Sequence, residues 1–126
     1  MAAFWAAALD YRIDPPPDGY DGWMDYQVGR GFPEDQRVRF ATVHNPQGPE
    51  RLCFLGVPES KTVKNRLHLD IQATAPDDSL ARRIERVDAL VVELDGLGGT
   101  VLRTGRERDQ YFVTVADVEG NEFCVH

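Results

Sequence analysis

The chain has little from which a covalent or metal-held framework could be built. Its two cysteines, Cys53 and Cys124, lie far apart, with neither C-x-x-C nor zinc-finger spacing. That removes a structural zinc knot and leaves reduced thiols in a cytoplasmic protein as the expectation. No segment approaches the ~20 apolar residues of a membrane span. The apolar stretch Ala2–Leu9 is short, has no basic lead and runs straight into Asp10, so it does not read as a secretory leader. Cations are also scarce. Lys and Arg number 14 against 21 Asp and Glu, a net charge of −7, which argues against nucleic acid or an anionic membrane as partner. Arg82, Arg83 and Arg86 are interrupted by Glu85 and Asp88 and read as a solvated helix face. Arg103, Arg106 and Arg108 read as a hairpin surface.

What is present is the composition of one globular domain: 126 residues, 42% hydrophobic and 28% charged. A chain of this size buries roughly two-thirds of its unfolded surface, enough for a real core. Ala2–Leu9 is rich in helix formers. Tyr11–Asp14 alternates like a strand, and Pro15, Pro16 and Pro17 stop it. Between Gly19 and Gln36 no two-residue period holds, which suggests a short helix within a long loop. Arg37–Val43 and Arg51–Val57 alternate around the turn-forming Asn45-Pro46-Gln47-Gly48-Pro49, as a hairpin does.

After the polar stretch 59–65, Arg66–Ala73 reads as a strand, with Leu67, Leu69 and Ile71 on one face and His68, Asp70 and Gln72 on the other. Leu80, Ile84, Val87, Val91 and Leu94 trace an amphipathic helix that Gly98-Gly99 ends. Thr100–Arg103, Tyr111–Ala116 and Glu122–Val125 are the last strands. The second half is thus strand, helix and three strands. The first half repeats the order without its opening strand, although the two halves share no sequence. The expected fold is α+β: two βαβββ modules (1–58 and 66–126, joined by linker 59–65) in one domain, their sheets curled about a common cleft.

The family likeness rests on four segments: Ala3-Phe4-Trp5-Ala6 with Leu9-Asp10-Tyr11; Leu52-Cys53-Phe54 with Val57-Pro58-Glu59; Lys64-Asn65-Arg66-Leu67-His68-Leu69-Asp70; and Ala116-Asp117 through Gly120-Asn121-Glu122-Phe123-Cys124. In these the chain resembles the glyoxalase/bleomycin-resistance proteins of the vicinal oxygen chelate superfamily, in particular the small glyoxalase-like group. The resemblance implies metal ligands on the first and last strands of each module. His68 and Glu122 match the two positions in the second module. The first module's opening strand would precede Met1, and its last-strand position falls near Leu55, which cannot bind a metal; Cys53 is close but out of register.

Two readings of this pair follow. In one, His68 and Glu122 hold a divalent ion, with Glu122 as ligand or general base, in an enzyme of isomerase or lyase type acting on a small oxygenated metabolite. In the other they are a hydrogen-bonded pair in the cleft of a protein that sequesters a small molecule without turnover. The incomplete ligand set makes true glyoxalase I activity unexpected. Asp70 and Gln72 line the cavity or extend to solvent at its mouth. Trp23 and Tyr26 cap the cleft or pack the inserted helix. Phe54 belongs to the core or cavity wall, and Cys124, beside Glu122, is expected to be an inert buried thiol. The open edge beside Leu52–Val57 and the resemblance both imply a homodimer.

Overall fold

The computed structural model describes residues 1–107 and 110–126; Arg108 of the second arginine cluster lies outside them. The first half contains α1 (Ala2–Leu9), β1 (Arg12–Ile13), α2 (Trp23–Gly29), a 3₁₀ turn (Glu34–Gln36), β2 (Phe40–His44) and β3 (Arg51–Leu55). Its sheet is antiparallel, in the order β1-β2-β3. The second half contains β4 (Leu69–Ile71), α3 (Leu80–Gly96), β5 (Thr100–Glu107), β6 (Gln110–Ala116) and β7 (Glu122–Val125). Its sheet runs β4-β7-β6-β5, with β4 parallel to β7 and the other pairs antiparallel. The α+β architecture expected from the order of elements is the one the chain adopts.

The core lies between the second sheet and two helices. Val87, Val91 and Leu94 of α3 meet Ile71, Val113, Val115, Phe123 and Val125, all buried. Ser79 starts α3, its hydroxyl accepting from the Arg82 N–H. Helix α1 is apolar on every side and buries Phe4, Trp5 and Ala8. Although it belongs to the first half, its Phe4 and Trp5 pack against Phe123 of β7, with ring centroids 5.9 and 5.0 Å away. Trp5 Nε1 also donates to the buried Asp117 carboxylate at 3.0 Å. This helix therefore binds the two halves to each other.

Four departures from the sequence expectation have identifiable causes. The strand expected at Arg37–Val43 starts only at Phe40, because the Gln27 side chain occupies both backbone groups of Val38: Val38 N–H donates to its Oε1 and Val38 C=O accepts from its Nε2, each at 2.9 Å. The strand expected from Arg66 starts only at Leu69. The Glu122 carbonyl, which could extend the ladder, instead accepts from Asn65 Nδ2 at 3.4 Å. β5 runs beyond Arg103 to Glu107, and Gly105 permits this because the Phe112 ring fills the space its Cβ would need. Lastly, Arg83 is not solvated. It is buried and donates to Thr74 Oγ1 and to the carbonyls of Pro76 and Asp78, clamping the loop before α3.

Candidate functional site

Because side chains alternate across a strand, the face of the second sheet opposite its helices presents the residues between the core positions. Pairing arranges these in rows. Asp70, Cys124, Thr114 and Arg103 form one row across β4, β7, β6 and β5. His126, Phe112 and Gly105 continue the pattern on one side of it, and Glu122, Ala116 and Thr100 on the other. His68 and Glu122 are the residues just before the Leu69–Phe123 pair on their two segments, His68 lying outside β4.

The first of these rows is where donor atoms gather. His68 Nε2 lies 3.6 Å from Asp70 Oδ1, and His126 Nε2 lies 3.3 Å from the same oxygen. One donor atom each from His68, Asp70 and Cys124 lie within 4.8 Å of one another. Asp70 is two-thirds exposed, whereas Cys124 is buried beneath it with Sγ 3.3 Å from Thr114 Oγ1. Thr114 also accepts from Arg103 Nε at 3.2 Å, and that guanidinium sits over the Phe112 ring. The donors are imidazole nitrogen, carboxylate oxygen and sulfur, the set that zinc and similar divalent ions take. Bonds of ~2 Å in tetrahedral geometry separate neighbouring N and O ligands by about 3.3 Å, so the nitrogen–oxygen distances found here fit a divalent ion with little movement.

Glu122 is not one of these three. It lines a cleft of about 330 Å³ at the seam between the halves. Leu52 and Phe54 of β3 form one wall, Leu67 and Leu69 another, and Trp5 a third. Among the described residues its carboxylate has no hydrogen-bond or ion-pair partner. A larger opening of about 750 Å³ lies at the ends of β2 and β3, also touching Phe54, and among the described residues it gathers no donor cluster. A third cleft of about 550 Å³, between α1, β4 and α3, is lined by Asp70 and Gln72 among others.

Trp23 and Tyr26 lie on α2. Trp23 packs on Phe40 of β2 at 4.7 Å, and Tyr26 sits edge-on to Tyr20 and Trp23. Neither lines these three clefts. Gln72 donates to the carbonyl and hydroxyl of Thr74, near the Arg83 clamp.

Two features escaped the sequence reading. His126 extends the two-residue period of Glu122 and Cys124, and that period was signal enough to find it. The second feature is a polar knot on the first sheet. There Asp14 accepts from Thr42 Oγ1, meets His44 Nδ1 at 2.6 Å and pairs with Arg51 Nε at 3.2 Å. The Thr42 hydrogen bond, with His44 and Arg51, holds the Asp14 carboxyl below the ordinary carboxylate range despite opposing desolvation. Sequence spacing gives no hint of this cluster.

The comparisons with known proteins agree with this fold. A glyoxalase-like domain family model matches residues 1–126. A hypothetical protein of S. aureus superposes with a TM-score of 0.61 at 16% identity, over 98% of this chain and 80% of that one. A glyoxalase/bleomycin resistance protein/dioxygenase family enzyme of Burkholderia phytofirmans superposes with a TM-score of 0.56 at 16% identity, over 98% of this chain and 84% of that one. No curated protein sequence is detectably similar. At such identity the superpositions establish the fold alone.

Proposed function

This chain belongs to the glyoxalase-like domain family, and from that premise we propose that it acts on a small oxygenated metabolite with a divalent metal ion at the second sheet. The observation that carries this reading is the convergence of His68, Asp70 and Cys124. These residues would hold the ion, with His126 able to join through the Asp70 edge. A bound divalent ion supplies Lewis-acid polarisation of substrate oxygens.

The chain's own residues do the rest. His68, Asp70 and Cys124 would offer nitrogen, oxygen and sulfur donors, and a reducing, cytoplasmic setting would keep the sulfur out of disulfides. Arg103 donates to the Thr114 hydroxyl, which in turn contacts the Cys124 sulfur, and so fixes that hydroxyl in place. Glu122, one pair along the same face, offers an unpartnered carboxylate that accepts a proton or a hydrogen bond from the ligand. The apolar walls of the seam cleft exclude water from the ligand's body.

Zinc titration by calorimetry tests the reading. Stoichiometric uptake, lost in both His68→Ala and Asp70→Asn, supports it; a protein that takes up no zinc, or takes it up equally in both variants, refutes the metal. Ligand capture without turnover would then identify a sequestering protein of the bleomycin-resistance type, which the largely apolar seam cleft also suits.

The protein is further proposed to be a homodimer. Among the described residues the outer edge of β3 pairs with no strand, and Leu55 and Val57 beside it are 63% and 65% exposed. Such an edge favours pairing with a second copy.

A further inference from the structure

The seam cleft carries a charge pattern that selects its ligand. Its lining includes two carboxylates, Asp117 and Glu122, and no basic side chain; Met1 also lines it, and among the described residues its α-amino group forms no ion pair with either carboxylate. Asp117 is committed: it accepts from Trp5 Nε1, from the Glu119 and Asn121 backbone N–H groups and from Asn121 Nδ2. Glu122 is not. A second acceptor also lacks a donor: Asn65 Oδ1 is buried and has no hydrogen-bond partner among the described residues. Its orientation is fixed, because flipping the amide would set Oδ1 against the Glu122 carbonyl that Nδ2 now satisfies. A buried acceptor without a donor is unfavourable, and Asn65 is one of the residues that line the cleft. The remaining walls, from Trp5, Leu52, Phe54, Leu67 and Leu69, are apolar.

We infer that this cleft binds an apolar amine in its ammonium form, the cationic head meeting Glu122 and Asn65 Oδ1 and the hydrocarbon body filling the space between β3 and residues 67–69. An ammonium carries three donors and one positive charge, the complement of an unpaired carboxylate and an orphan acceptor in a cleft with no basic side chain. The same field repels carboxylates. The inference rests on the proposed placement of the ligand at Glu122, and not on the metal.

The probes are 2-phenylethylamine, 2-phenylethanol and 3-phenylpropionate, which share an apolar body and differ in the head group. Chelator-treated protein is titrated while the indole N–H signals of Trp5 and Trp23 are followed by NMR. Only Trp5 lines the cleft. The amine should shift the Trp5 signal saturably and leave Trp23 in place. The alcohol should bind about tenfold more weakly, the loss of one charge-assisted contact, and the acid not at all. Glu122→Gln should weaken the amine about tenfold, and Leu67→Trp, at a position 74% exposed, should block it without unfolding the protein. Binding of the acid as tight as the amine, indifference of the amine to Glu122→Gln, or no saturation at millimolar amine would each overturn the inference. Because the metal is removed, failure here is separable from failure of zinc uptake.

Discussion

Removing the Asp117 carboxylate should uncouple α1 from the β6–β7 turn and destabilise the protein severely. Five hydrogen bonds converge on this side chain: Trp5 Nε1 at 3.0 Å, the Glu119 and Asn121 N–H groups at 2.9 Å each, and Asn121 Nδ2 at 3.1 and 2.9 Å to its two oxygens. In Asp117→Ala the Glu119 N–H is exposed and recovers water, whereas Trp5 is only 5% exposed and its indole N–H does not. Losing a hydrogen bond to a charged acceptor costs roughly 1.5–3 kcal/mol, and the turn's weakened hydrogen bonding adds about 1 kcal/mol. The sum, about 2.5–4 kcal/mol, is a large part of the ~5–15 kcal/mol that holds a domain of this kind. Urea unfolding measures it, with an unchanged m-value showing that only stability has moved. In a double-mutant cycle with Trp5→Phe the two changes should be coupled by about 1.5 kcal/mol. A loss below about 1 kcal/mol for Asp117→Ala, or additive effects in the cycle, would show that the Trp5–Asp117 bond does not join the halves.

Other expectations follow from single contacts. Asp14→Asn should destabilise the protein at neutral pH by about 1–3 kcal/mol. The Asp14 pKa is lowered in the fold, so its stabilisation is present above the unfolded value near 4 and fades as pH falls through the lower folded value; a variant-to-wild-type gap in urea midpoints that persists at the acid end would contradict this. Leu94→Ala, at a fully buried position under the second sheet, should lower stability by about 2–5 kcal/mol through the cavity it leaves, read as a lower urea midpoint. Val57→Lys at the open edge of the first sheet should convert dimer to monomer in sedimentation at micromolar concentration; a wild-type protein that sediments as a clean monomer excludes the dimer altogether.

The sequence revealed most where one local rule governs a segment. The α3 stripe and the Gly98-Gly99 stop located that helix, and the order of elements pointed to the α+β class. Strand ends were less legible because distant side chains set them: Gln27 takes the backbone of Val38, and Asn65 takes the Glu122 carbonyl. Arg83 looked solvated because its three acceptors belong to a loop that only the fold brings beneath it. At the site, the two-residue period led to the expectation that His68, Asp70 and Gln72 share a face; His68 and Asp70 do come together, whereas Gln72 lies beyond β4 and bonds Thr74. Which donors gather depends on the register between β4 and β7, and no local pattern encodes that register. It places Asp70 beside Cys124.

The most direct test of the central claim is the absorption spectrum of the cobalt(II)-loaded protein. Ligation at the His68, Asp70 and Cys124 cluster predicts visible bands of a low-symmetry site together with a sulfur-to-cobalt charge-transfer band, and Cys124→Ser should abolish the latter. Cobalt(II) that stays in its aqueous form in the presence of the protein, or a charge-transfer band untouched by Cys124→Ser, would contradict the account.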